Sequence, residues 1–292
     1  MTLQRKADLA LVLVTVCWGS SYYLMDLCLE EMDPFTLNVY RFLGAFAVAG
    51  ILTFPKLKSV NRTTMKYAFL IGIVVTIVYV TATFGVKYTS QSNAGFLCAL
   101  AVIFTPILAF FLQHIIPEKK LFLVLAMCFA GIALMTLNEE LHVASGDILC
   151  IICSMAYAVQ MLLIEHAVKQ EEVDAFHLGV FQLLFTGLFM LILSLIFGDP
   201  CLPRSGGCWF GVFFLSVFCT GVCFIAQNLA QQYTTSTHVG VIFCLEPLFA
   251  AIVAFLLAGE VLLPRAYFGA FLMLAGLIIM EIDLPGSRRK TK

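Results

Sequence analysis

Apolar stretches of about 20 residues alternate with short polar breaks along the whole chain, a spacing matched to the thickness of a lipid bilayer. The pattern predicts ten helical spans, at 8–28, 34–54, 65–87, 93–116, 120–137, 147–166, 175–197, 208–230, 238–258 and 265–283. The breaks between them are too short for a soluble domain or an extramembrane catalytic module. Composition points the same way: 61% of the 292 residues are hydrophobic and 12% are charged, with a mean hydropathy of +0.99. A soluble domain carries about 25% charged residues. The expected class is an all-α integral membrane protein of ten transmembrane helices. The net charge of −1 says nothing about nucleic acid, and no basic block is long enough to suggest such a partner, so none is expected.

Charge then orients the spans. With the N-terminus inside, the inner segments hold Arg5, Lys6, Lys56, Lys58, Arg62, Lys66, Lys119, Lys120, Lys169, Arg288, Arg289, Lys290 and Lys292. The outer segments hold Lys87, Arg204 and Arg265, and Arg41 falls within a span. The positive-inside rule therefore predicts cytoplasmic N- and C-termini, with a bacterial inner membrane as the expected location. Met1 to Lys6 and the apolar run behind them imitate a signal peptide, but no convincing small-residue cleavage site follows. The run is read as a retained first helix. Asn61-Arg62-Thr63 is a glycosylation sequon on the expected inner side, where it would not be used. Of the eleven cysteines, nine lie in or at the ends of spans, where Cys acts as a small hydrophobe. That includes the Cys150/Cys153 pair. Cys201 and Cys208 share an outer loop and could bridge in an oxidising compartment.

The sequence is also written twice. Asp33 to Arg41 aligns without gaps on Asp174 to Gln182, Trp18-Gly19-Ser20-Ser21 on Met155-Ala156-Tyr157-Ala158, and Tyr88-Thr89-Ser90 on Tyr233-Thr234-Thr235. Thr105-Pro106 aligns on Glu246-Pro247 once four extra residues are allowed in the first copy. The expected units are 1–138 and 139–292, each with five spans. An odd number of spans forces the second unit to enter the membrane upside down, and inverted repeats give a protein two nearly equivalent conformations.

The residues W-G-S-S at 18–21, an arginine early in the second span, Y-T-S-x-x-N-A-G-F-L from Tyr88 and Y-T-x-S…L-E-P-L-F-A-A…G-E from Tyr233 resemble the drug/metabolite transporter superfamily, specifically its EamA-type ten-span carriers. The resemblance runs from about Asp8 to Asp283. It implies two inverted five-helix repeats, with spans one to four and six to nine around a central cavity and the fifth and tenth peripheral. It also implies a metabolite cargo, many members being amino-acid or amine exporters.

Glu246 and Arg41 are read as the two formally charged side chains well inside spans, where ionised groups mark functional sites. They are expected to line a cavity, one meeting the amine and the other the carboxylate of a zwitterion, or else to stabilise the fold by pairing with each other or by hydrogen bonding to local backbone. Pro106 and Pro247 remove backbone donors at matched places in the two repeats and are candidate kinks. Trp18, Ser21 and Tyr22, with Tyr157 and Gln160 on the repeat partner, add aromatic and polar groups. So do Tyr79 and Thr83, matched by Phe224 and Asn228, and the aligned pairs Asn38/Gly179 and Arg41/Gln182. Phe224, Gln227, Asn228 and Gln231 recur at i, i+3, i+4 and i+7, one helix face that must meet protein or water. Gly269 and Gly276 form a close-packing seam on the last span, internal or between two copies of the chain. The candidate cargo-binding set is thus Trp18, Ser21, Tyr22, Asn38, Arg41, Tyr79, Thr83, Tyr157, Gln160, Gln182, Gln227, Asn228 and Glu246.

These features predict a secondary transporter that moves a small amphiphilic or zwitterionic metabolite, amino acid or amine-like, outward by alternating access. A multidrug or organic-cation exporter of the same fold is the alternative, and a channel or membrane sensor a more distant one. An enzyme is disfavoured, since the five histidines show no metal spacing. An ATP-driven pump is disfavoured by the lack of a G-x-x-x-x-G-K-[ST] loop. No cofactor or metal is expected. The expected partners are the small-molecule cargo and the bilayer, with a homodimer as an option. Glu246 is a candidate for proton exchange during the cycle, alongside facilitated diffusion or exchange.

Overall fold

The computed structural model describes residues 2–88, 97–114, 119–136, 145–257 and 263–281. Among these, the helical segments are α1 (Leu3–Leu29), α2 (Pro34–Leu57), α3 (Arg62–Tyr88), α4 (Ala101–Gln113), α5 (Lys119–Thr136), α6 (Ser145–Val168), α7 (Ala175–Phe197), α8 (Gly206–Ala230), α9 (Ser236–Leu257) and α10 (Pro264–Glu281), and no strand is present. Seven of them, α1 to α3 and α6 to α9, are long and apolar enough to cross a membrane by length and composition. These seven overlap seven of the expected spans, the ninth as far as residue 257. The remaining three expectations fall on α4, α5 and α10, and partly on residues outside the described set. So do the first-copy turn at 89–96 and the Gly259-Glu260 pair.

Local sequence explains where the helices begin. Asp33 caps α2, its Oδ1 accepting from Phe35 N (2.9 Å) and Thr36 N (3.2 Å), with Pro34 at the first helical position. The aligned Asp174 caps α7, accepting from His177 N at 2.7 Å. Ser205 and Thr235 cap α8 and α9 through Cys208 N and His238 N. Each such cap stabilises a helix by about 1 kcal/mol.

The order of packing is symmetric between the halves. α1 packs on α8 and α9, while α6, its repeat counterpart, packs on α3 and α4. Likewise α2 packs on α8 and α3 on α7, whereas α2–α7, α4–α9 and α5–α10 each join counterparts. The main core runs through α1, α2, α3, α6, α7, α8 and α9, with Leu11, Phe42, Ile71, Met161, Leu178, Leu183, Leu215 and Ile242 fully buried. A smaller cluster of Val102, Val124, Cys128, Val241, Leu245 and Met273 fastens α5 and α10 onto α4 and α9. The Gly269/Gly276 seam is internal: a Cβ on the facing Gly131 would lie 2.7 Å from Gly269 O, and one on Gly276 would touch Cys128 and Met127 of α5.

Connections that the charge pattern assigns to one side meet each other. Glu31 Oε2 accepts from Arg204 N (2.7 Å) and Ser205 N (3.0 Å). At the opposite ends of α2 and α7, His177 Nε2 lies 2.8 Å from Lys56 O, and Thr63 Oγ1 donates to Glu172 Oε2 at 2.7 Å. Hydrogen bonds from Ser205 and Arg204 hold the Glu31 carboxyl below its ordinary pKa. A group with a depressed folded pKa contributes stability above its unfolded value and loses it as pH falls through the folded one. The clasp should therefore hold at neutral pH and open only as pH falls below the ordinary carboxylate range. Hydrogen exchange at Arg204 and Ser205, normalised to intrinsic rates, should show protection lost on acidification. Glu31→Gln should lack that protection at every pH, and protection unchanged from neutral to strongly acid pH would contradict the assignment.

Cys201 and Cys208 are free thiols, and Cys150 and Cys153 are buried in α6. Pro106 lies inside α4 as expected. Pro247 does not sit inside a continuous helix: α9 breaks into a turn at Cys244 and Leu245 and restarts at Glu246. A further kink went unread in the sequence. Pro55 lies inside α2, where Thr53 leaves helical geometry (φ −123°, ψ 15°) and donates its hydroxyl to Ala49 O at 2.6 Å.

Candidate functional site

The break in α9 brings Glu246 to α1, where Tyr22 donates its hydroxyl to Glu246 Oε1 at 2.8 Å. That contact depends on how closely the two helices approach. A Cβ on Gly19 would lie 2.7 Å from Phe249 Cβ and 2.7 Å from Ala250 N, so only glycine fits there. Gly19 is three residues before Tyr22 and Phe249 three after Glu246, one helical turn in each case. Glu246 is half-buried and Tyr22 is 40% exposed. The Tyr79 and Tyr157 side chains also lie within electrostatic range of the carboxylate.

The rings form a connected wall. Trp18 packs edge-on against Phe243 (4.9 Å between centroids) and lies 5.7 Å from Phe224 and 6.1 Å from Tyr157. Tyr157 stacks on Phe243 at 6.1 Å, and Phe42 meets Tyr79 edge-on at 4.8 Å. Trp18 is fixed by its indole N–H, which donates to Cys219 O at 2.8 Å. Cys219 sits in a π-helical stretch of α8, Leu215–Val222. Widening of the turn there changes the backbone ladder, a feature common at functional sites.

The same stretch receives Arg41. Its Nε donates to Thr220 Oγ1 (3.3 Å), its Nη1 contacts Met25 Sδ (3.0 Å), and the guanidinium lies 5.1 Å from the centre of the Tyr79 ring. Ser216 donates its hydroxyl to the Arg41 carbonyl at 3.1 Å. Arg41 is 2% exposed and makes no ion pair with Glu246. The pairing considered from sequence is therefore absent from this structure, where the guanidinium lies against the Tyr79 ring.

Other expected residues are more structural in their contacts. Ser21 and Thr83 return their hydroxyls to the backbone of Trp18 and Tyr79. Gln227, Asn228 and Gln231 are fully buried, so the face meets protein, one of the two environments its pattern allowed: Gln227 donates to Gln231 (3.2 Å), Gln231 to Met161 O (2.9 Å) and Asn228 to Phe224 O (2.7 Å). Asn38 is buried, and the side-chain amides of Gln160 and Gln182 are buried without a hydrogen-bond partner among the described residues. None of these three is hydrogen-bonded to the ring wall. Two surface clefts of about 380 and 320 Å³ lie elsewhere, one lined by Thr63, Tyr67 and Glu172 and the other by Thr36, Tyr40 and Leu202.

Arg41 is not the only buried charge among the described residues. Glu165 near the end of α6 is 1% exposed; it accepts from Ser236 N (2.6 Å) and the Ser236 hydroxyl, and pairs with Lys169. It thus serves the unsatisfied N–H groups at the start of α9. Asp8 is 7% exposed and faces His238 at 3.5 Å. Both acids stand near span ends in the sequence, where water would be expected to relieve them, so their burial was not legible. Phe42, Phe243 and Thr220 were also missed as members of the ring and Arg41 environment. Only Phe243, three residues before Glu246, carried a positional signal.

The family model described as "EamA-like transporter family" matches this chain twice, at residues 5–137 and 144–282. An "Uncharacterized transporter" of Archaeoglobus fulgidus is 28% identical over 94% of this chain and 86% of its own length. The "Uncharacterized transporter YoaV" of Bacillus subtilis is 18% identical over 98% and 99%. A solved crystal structure superposes with a TM-score of 0.81 at 15% identity, covering 94% of this chain and 97% of that one, a likeness of fold.

Proposed function

The chain belongs to the EamA-like transporter family, within the drug/metabolite transporter superfamily, and from that premise we propose that it is a secondary carrier for a small amphiphilic metabolite bearing an amine. It is a multi-pass membrane protein by the apolar length of its helices. The observation that carries the reading is that the two halves of the chain meet both through the Tyr22–Glu246 hydrogen bond and through the Trp18–Tyr157–Phe243 rings. An acid gives orientation and the rings give apolar area, the division of labour found in small-molecule sites.

The symmetric packing of α1–α5 against α6–α10 supports two inverted units, 1–138 and 139–292, that exchange conformations in alternating access. We take the carrier to have ten spans and cytoplasmic termini in a bacterial inner membrane and to work outward. Glu246 then serves the cargo, with a proton as its alternative occupant. Reconstituted into liposomes preloaded with unlabelled amine or amino acid, the protein should give saturable counterflow of the labelled compound. Flux that rises linearly with concentration and shows no trans-stimulation would mark a channel and end the carrier reading.

A further inference from the structure

We propose that the site at Glu246 selects a cargo with one cationic amine and no carboxylate. The proposal deepens the carrier reading and rests on it. A zwitterion is matched best by two opposite charges from the protein, and among the described residues the site offers one, Glu246.

Glu246 supplies the negative charge. It accepts a hydrogen bond from Tyr22, and no ion pair neutralises it among the described residues. A carboxylate placed inside a span calls for a cation or a proton. Tyr22, Tyr79 and Tyr157 lie within its electrostatic range, and Trp18 and Phe243 continue the wall from Tyr157. Ring faces attract an ammonium electrostatically and cover the apolar body attached to it.

The positive charge that would meet a carboxylate is withheld. Arg41 is 2% exposed, donates to Thr220, touches Met25 and packs against the Tyr79 ring. Among the described residues no other cationic side chain contacts the ring wall. A cargo carboxylate would lose its hydration without gaining a cation, and would stand near a like charge on Glu246. Missing partners and like charges are effective means of rejection.

The test uses the full-length protein with Trp209→Phe, which leaves Trp18 as the one tryptophan, because the chain has two. Fluorescence of the purified protein in detergent is titrated with 2-phenylethylamine, phenylalanine and 3-phenylpropionate, one ring with the amine, both groups, or the acid alone. The amine should saturate the signal at a concentration at least about tenfold below phenylalanine, and the acid should not compete. Glu246→Gln should remove the amine's advantage. Phenylalanine binding as well as the amine, an unchanged advantage in Glu246→Gln, or no response to the amine would each overturn the proposal. If Glu246→Gln does not fold, Glu246→Asp replaces it, and a shorter carboxylate should weaken the amine and leave phenylalanine unaltered. Counterflow separates the two levels. Selective amine binding without counterflow defeats the carrier reading, and phenylalanine counterflow equal to that of the amine defeats this inference while leaving the carrier intact.

Discussion

Gly19→Val is expected to leave little stably folded protein. A Cβ at this position would already lie 2.7 Å from both Phe249 Cβ and Ala250 N, and 2.9 Å from Phe249 C. Two of those three atoms are backbone and cannot rotate aside, so α1 and α9 would have to part. Overpacking a fitted interface costs about 1–3 kcal/mol, and contact with backbone belongs at or above the upper end. The separation would also break the Tyr22–Glu246 hydrogen bond. Thermal unfolding in detergent should show a clear fall in midpoint for Gly19→Ala and a loss of the monodisperse species for Gly19→Val. Gly206 offers the control, since nothing lies within 4 Å of a Cβ built there and Gly206→Ala should be close to neutral. A Gly19→Val protein as stable as wild type would show that the helices are not packed as described.

Arg41→Ala should be comparably damaging, by about 2–5 kcal/mol, because it empties a closed site between α1, α2, α3 and α8. It removes the contacts to Thr220, Met25 and the Tyr79 ring together. Arg41→Met keeps much of the volume without the charge and should restore most of the stability, as apolar replacements of buried ions often do. Denaturant unfolding of the two variants tests the packing role. Counterflow tests the alternative role of cargo ligand. If Arg41 positions Tyr79 and does not touch cargo, Arg41→Met should alter the KM for amine and amino acid by the same factor. A selective rise in KM for carboxylated cargo would return Arg41 to the binding set.

Much of the architecture was legible because the bilayer imposes a simple code. Apolar runs of fixed length specify helices, and the aligned Asp33 and Asp174 mark the start of two equivalent ones. The face formed by Gln227, Asn228 and Gln231 had to meet protein or water, because amides facing lipid would go unsatisfied, and the structure buries it in protein. The site was legible only as residue types. Glu246, Trp18, Tyr22 and Tyr157 stood out as polar or aromatic groups in apolar helices, and the structure joins them. Arg41 stood out for the same reason, with a cavity role and a fold-stabilising role both open, and the structure buries it beside Tyr79. The burial of Glu165 depends on Ser236, 71 positions away, and no local pattern announces such a partner.

The amino-acid sequence alone determined that this chain is a helical membrane protein built from two related halves, because span length and internal repetition are local properties along the chain. The α9 break at Cys244–Leu245, the π turn that receives Trp18 and Arg41, and the separation of Arg41 from Glu246 were decided by the tertiary structure. Each depends on which side chains meet across helices. In a bilayer, where lipid tails are as apolar as the side chains, such pairings follow from close fit and polar satisfaction rather than from the hydrophobic pattern.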